Sequence, residues 1–581
     1  MLLSTTPFLQ AVKRCLLLCI TALLLASSQL YAQAPTWQIA VVAGQVSGSG
    51  SSTVTYTDMD ATGNLYLIGS FTGTVVFGST SLTSTGKRDM FVAKWSPTSN
   101  SFVWAQRAGG TGEDSGYRVT VSGSSVYVTG QFASNVISFG PTTLANTDAS
   151  GVTDDIFVAK LTDAGATASF TWAQKVGSTA NDYLFALASN GPSIYILVEF
   201  TATLALGSTT LVPAGFSDGV LVKFTDIGIS GRVEWAQPFV SPSEDSPSAI
   251  AVSGTSIYVA GDFEGQTLQL GPLQLTNSDP TGSTPDIFVA KLTDAGTNCS
   301  VVWAQRAGGQ EREYIYDIAV NGTSVYLIGE FVGVTTGFGP IPLVATGRVN
   351  TLIAKLADAG SSANFIWAQQ AGGSSADRPM SIVASGNAVY VAGYFSSPTM
   401  RFGSLALTNT GGDDLFVTQL LDAGASGSFS WVQHASGTRN ESATGLQLQG
   451  TTLYMVGSTT SSLMTFGSQS MANPSGAQQG FLASLSIGPL ASRNASLLAG
   501  LSVYPNPART SALVILPSQT GLTQATVTLA DAVGRIVRTG STAFGSNGLR
   551  QQLPLAGLPA GYYIVIVQAG EARAVRTLLI E

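Results

Sequence analysis

The chain has 581 residues, more than one ordinary core accommodates, so two or more domains are expected. Only 10% of residues are charged, 65 are glycine, and the formal net charge is −8. A surface of that sign repels phosphate backbones, which argues against a nucleic-acid partner. The single histidine, His434, offers no material for a multi-histidine zinc site, and nothing around it suggests a nucleophilic triad.

Lys13 and Arg14 precede an apolar run, Cys15 to Ala26, and small and polar residues continue as far as Ala32-Gln33-Ala34. This is the order of a secretory signal peptide, assigned to residues 1–34, with cleavage after Ala32 or Ala34. The leader takes two of the three cysteines, so Cys299 is left alone and forms no internal disulfide. No later stretch is apolar enough to cross a bilayer, so no transmembrane helix is expected in the mature chain.

Internal repetition dominates the chain beyond the leader. Trp37, Trp104, Trp172, Trp235, Trp303, Trp367 and Trp431 recur at intervals of roughly 65 residues, longer than a common propeller blade. Tyr66, Tyr127, Tyr195, Tyr258, Tyr326, Tyr390 and Tyr454 keep the same period, as does a Phe-Gly or Leu-Gly pair from Phe77-Gly78 to Phe466-Gly467. Within the fourth unit, Ala249-Ile250-Ala251-Val252 turns at Ser253-Gly254-Thr255 into Ser256-Ile257-Tyr258-Val259-Ala260-Gly261. Two further β-prone runs, Asp286 to Leu292 and Val301 to Gln305, flank the turn Asp294-Ala295-Gly296. Four short strands and no helical period predict a propeller blade, with the Phe-Gly element as an extra hairpin.

The first unit begins at the Trp37 strand, and the seventh, ending Gly480 to Leu485, has no Trp strand after it. Pairing the first strand with the last unit would give every blade four strands and leave no open edge. The periodic aromatics are expected to fill the wedges between blades, the alternative being a carbohydrate-stacking platform. Lys94, Lys160, Lys223, Lys291 and Lys355 also recur, with Gln419 and Ser484 in the last two units. Alternation sets Lys291 opposite Phe288, Ala290 and Leu292, which predicts solvated lysines near the outer edge.

The loop after six of the seven Trp strands carries acids: Glu113 and Asp114, Asp182, Glu244 and Asp245, Glu311 and Glu313, Asp377, and Glu441; the loop after Trp37 has none before Asp58. On one face of a ring they would form an acidic rim able to bind Ca²⁺ or a cationic ligand; the alternative is solvated turn residues. No other cofactor and no catalytic residue is assigned.

Asp60-Ala61-Thr62-Gly63-Asn64-Leu65-Tyr66-Leu67-Ile68-Gly69 is similar to the Asp-x-x-Gly-Asn-x-Tyr-x-x-Gly core of the bacterial seven-bladed SBBP-type propeller repeats. Later units match that core more loosely. The resemblance covers about residues 37–489 and implies a fold, not an activity.

Beyond residue 490 the markers stop and short β-prone runs between Gly and Pro turns predict a small β-sandwich. Val503-Tyr504-Pro505-Asn506-Pro507-Ala508, Asp531-Ala532-Val533-Gly534-Arg535 and Leu558-Pro559-Ala560-Gly561-Tyr562-Tyr563 occur there in order. These resemble the type A C-terminal sorting domain of the type IX secretion system of Bacteroidota. That resemblance implies a translocon partner and a destination outside the cell or on its surface.

The sequence thus reads as all-β: a seven-bladed β-propeller at 35–489, a linker at 490–500, and a sandwich at 501–581. The expected role is an exported, non-catalytic binding or structural module for a glycan or an envelope protein. The alternative is a secreted glycan-active hydrolase or lyase using carboxylates on one propeller face.

Overall fold

The computed structural model describes residues 35–148, 150, 152–333, 335–487, 501–517, 524–531, 535–543, 548–569 and 572–581. The leader and the expected linker at 490–500 lie outside the described residues. The described chain forms two compact units, Pro35–Ser486 and the segment from Ile487 to Glu581.

The fourth repeat shows how the first unit is built. Asp245–Ser253 and Ser256–Phe263 form a hairpin closed at Gly254, whose φ of 60° is in the region that favours glycine. Asp286–Asp294 pairs antiparallel with the second strand, and Cys299–Gly309, carrying Trp303, pairs outside it. Between the second and third strands the Leu-Gly element folds as a small hairpin, Thr267–Leu270 with Leu273–Thr276. The same four-stranded order recurs in each repeat, giving seven sheets among the described residues.

The innermost strands are Gln45–Met59, Asp114–Ser122, Asp182–Asn190, Asp245–Ser253, Glu313–Asn321, Asp377–Ser385 and Glu441–Gln449. Each packs against the next, and the last packs against the first, so the seven sheets close a ring. The expected closure by the chain start is present: Thr36–Ala43 pairs antiparallel with Gln479–Ser486, from Thr36 opposite Ser486 to Ala43 opposite Gly480. This is a β-propeller, and closure leaves no blade with a missing strand.

Every innermost strand carries a β-bulge, as between Pro247 and Ala249. The bulged residues Thr55, Tyr117, Ser248, Tyr316, Met380 and Thr444 line a cavity of about 270 Å³ to which all seven innermost strands contribute. Around it, the periodic aromatics fill the wedges as expected. Tyr258 and Trp303 are both 3% exposed, their rings tilted against each other at 6.2 Å.

In the second unit, Ser502–Tyr504, Ser511–Leu516 and Leu549–Pro554 form one sheet. Ile536–Ala543, Gln524–Asp531, Gly561–Ala569 and Ala572–Ile580 form the other. Val514 and Leu516 of the first sheet share a core with Val527, Leu529, Val565 and Leu578 of the second, which makes a sandwich. The turn residues of the three sorting-domain motifs hold it together. Asn506 donates from Nδ2 to Thr577 O at 2.7 Å and accepts from Leu579 N at 2.8 Å, fixing the last strand. Asp531 accepts from Arg535 N and Nε, and the Tyr563 hydroxyl donates to Pro559 O. Tyr504 and Tyr562 are exposed; Gly534 lies outside the described residues. No helix among the described residues is long and apolar enough to cross a membrane.

Candidate functional site

The acids expected at the rim divide into two sets. Asp114, Asp182, Asp245, Glu313, Asp377 and Glu441 each open an innermost strand and are fully buried. Their carboxylates turn back on the preceding loop: Gly110 N donates to Asp114 at 2.6 Å, Ser178 N to Asp182 at 2.6 Å, and Gly373 N to Asp377 at 2.7 Å. Gly309 N donates to Glu313 at 3.2 Å and the Thr459 hydroxyl to Glu441 at 2.9 Å. Only Glu113, Glu244 and Glu311 of the expected set are exposed, and Glu113 pairs with Arg88 at 3.4 Å. Among the described residues, no three carboxylate, histidine or cysteine side chains come together to hold a metal ion.

Each buried acid lies beside a residue at the start of the third strand of the preceding blade. These are Asp89, Asp155, Asp218, Asp286, Asn350 and Asp414. Backbone bonds fix the pairs: Asp182 N donates to Asp154 O, and Glu441 N to Asp413 O. Burial, then the like charge of the neighbour, pushes Asp114 up to about 6, Asp182 to about 7, and Asp245 and Glu313 to about 8.

The recurring lysines are not solvated; this expectation is corrected. Lys223 is 4% exposed and donates to Asp294 at 2.6 Å. Asp294 sits in the turn between the third and fourth strands of the next blade. It also accepts from the Tyr195 hydroxyl at 2.6 Å and from Trp235 Nε1 at 3.2 Å. The same latch forms around Asp163, Asp226, Asp358 and Asp422. Alternation fixed the face of each lysine correctly, but that face is covered by the neighbouring blade's turn.

A groove of about 530 Å³ lies at the end of the ring where second strands finish and innermost strands begin. It opens among the second, third and fourth blades. Tyr183 opens onto it from an innermost strand and Phe216 from the loop before the third strand, 40% and 75% exposed. Thr153, Asn181, Glu199 and Glu244 complete its polar lining. Glu199 accepts from the Ser246 hydroxyl at 2.8 Å, and burial with the charge of Glu244 raises its pKa. Asp262, at the corresponding place on the next blade, is held well above the usual range by burial, then by Glu199, Glu264, Asp245 and Glu244. Glu330, one blade further, is neutralised by Arg378 at 2.6 Å. The rim reading found Glu244 but missed Tyr183, Glu199, Phe216 and Asp262. The signal was available: Glu199, Asp262 and Glu330 are acids inside otherwise apolar second strands.

The described residues thus form a closed propeller unit and a β-sandwich unit. Residues 502–581 match the secretion system C-terminal sorting domain. That tail marks the protein for type IX secretion to the cell surface or the extracellular space.

No curated protein matches the chain. Among solved structures, the chain is similar to a Trypanosoma rangeli sialidase mutant displaying trans-sialidase activity. Identity is 10%, coverage 92% of this chain and 89% of that one, and the TM-score 0.32. Phage phi92 endosialidase gives 10% identity, 93% and 87% coverage, and a TM-score of 0.34. Drosophila Semaphorin 2a gives 6% identity, 94% and 98% coverage, and a TM-score of 0.27. The propeller assignment rests on the strand pairing of the seven sheets, not on these likenesses.

Proposed function

We propose that the propeller is a non-catalytic glycan-binding module, its repeats of the SBBP type. In this reading a signal peptide at 1–34 starts export, and the tail hands the chain to the type IX translocon. The observation that carries the reading is the groove with exposed Tyr183 and Phe216 beside the half-buried carboxyl of Glu199. Exposed aromatic faces stack on sugar rings while carboxyls accept their hydroxyls.

A second reading, a glycan hydrolase or lyase, draws on Asp262, whose raised pKa suits a general acid beside a second carboxyl. A glycan array followed by product analysis separates the two. Retention without new reducing ends supports the binding module. Turnover that is lost in Asp262→Asn supports the enzyme.

A further inference from the structure

The groove is more acidic than a neutral sugar requires. Glu199 and Glu244 line it, and Asp245, Asp262 and Glu264 lie near enough to act on them, with Arg312 offsetting Glu264. Among the described residues no ion pair reaches any of the five carboxyls, whereas Glu330 on the next blade has Arg378. Such a cluster is relieved by a cation. The exposed rings of Tyr183 and Phe216 beside these carboxyls suit an organic cation.

We infer that the groove binds an oligosaccharide bearing free amino groups, its ammonium seated by Glu199 and Glu244 and its ring faces resting on Tyr183 and Phe216. The ammonium gains charge-assisted hydrogen bonds and the aromatic faces add cation–π attraction. A volume of about 530 Å³ suits a short oligosaccharide. The lining comes from five separate chain segments, so no continuous strand edge is offered for an extended basic peptide to join.

The inference rests on the glycan-binding reading and sharpens it. The test is calorimetry on the full exported chain with three probes: a glucosamine trimer, an N-acetylglucosamine trimer and trilysine. The glucosamine trimer should bind at least tenfold more tightly than either other probe. Glu244→Gln and Phe216→Ala, both at exposed positions, should each weaken it at least tenfold while leaving the melting temperature unchanged. Equal affinity for the acetylated trimer overturns the amino-sugar assignment and leaves glycan binding standing. Tighter binding of trilysine assigns the groove to basic peptides and overturns it. Undiminished glucosamine binding in both variants places the site elsewhere and overturns it. If no glycan binds at all, here or on the array, the parent reading falls with it.

Discussion

Asp294 draws three side chains of the preceding blade onto one carboxylate, and the energetics of that latch are those of a buried ion pair. Burial opposes ionisation, yet the Lys223 ammonium and Tyr195 hydroxyl hold Asp294 below the ordinary carboxylate range. Breaking one side of such a pair is costly because the other charge remains enclosed. Asp294→Ala should therefore destabilise the propeller by about 3–5 kcal/mol in urea unfolding. The pair Lys223→Gln with Asp294→Ala should recover most of that loss; a double variant as unstable as the single would show that the charge is not the cause. The chain itself contains this experiment. Blade seven takes its outer strand from Thr36–Ala43, so it has no turn between third and fourth strands and no aspartate to offer. Blade six accordingly carries Gln419, which donates to the Tyr390 hydroxyl at 2.9 Å. Blade one's turn also lacks an acid, and there Ser484 replaces lysine and Trp37 Nε1 has no partner. The lysine period was readable in the sequence, but its meaning was not: Lys223 and Asp294 lie 71 residues apart, beyond any local pattern.

At the scale of strand ends, the seams between blades set the pH response. Asp182 and Asp155 face each other with an Oδ1 each left without a hydrogen bond, and the Asp286–Glu313 pair likewise orphans an oxygen on each side. Where Asn350 stands opposite Asp377, neither residue leaves such an atom. An amide supplies the proton that an acid pair must bind from solution. Folded pKa values of about 6 to 8 at Asp114, Asp182, Asp245 and Glu313 exceed the unfolded values of about 4. Their stabilisation is therefore full below the unfolded pKa and is lost as pH rises through 6 to 8. The latch aspartates act oppositely: Asp358, lowered to about 2 by Lys291 and Tyr258 against the effect of burial, loses its contribution as pH falls toward that value. The melting temperature should thus peak in mildly acidic buffer and fall toward pH ~9. Asp182→Asn should flatten the alkaline limb, gaining on the order of 2 kcal/mol at high pH and almost nothing near pH ~4. A melting temperature that rises steadily with pH would refute the shared-proton account. The strands themselves were legible, because Gly turns and alternating apolar residues mark them locally. The acids at their ends were legible only as a series. Spacing placed them on one face of the ring, but not whether backbone N–H groups had already claimed them, as Gly110 N claims Asp114.

For the whole molecule, ring closure and export make separate demands on the two ends of the described chain. Thr36–Ala43 is the outer strand of the seventh sheet, and Trp37 packs edge-on against Phe466 at 5.0 Å. Deleting residues 35–45 bares the ladder of Gln479–Ser486 and opens the Trp37 pocket, so the melting temperature should fall by on the order of 10 °C. An unchanged value would mean that the ring does not depend on its closing strand. The tail makes the opposite demand. Its core is its own, built from residues such as Val514, Val527 and Val565. Removing residues 502–581 should therefore leave the propeller's melting temperature unaltered and yet leave the protein in the periplasm, read by fractionation. Within the tail, Asn506→Ala removes both bonds to the last strand and should lower the exported fraction without touching the propeller. Continued export of the truncated chain would show that recognition lies in the propeller. A fall in melting temperature on truncation would instead show that the sandwich contributes to the stability of the ring.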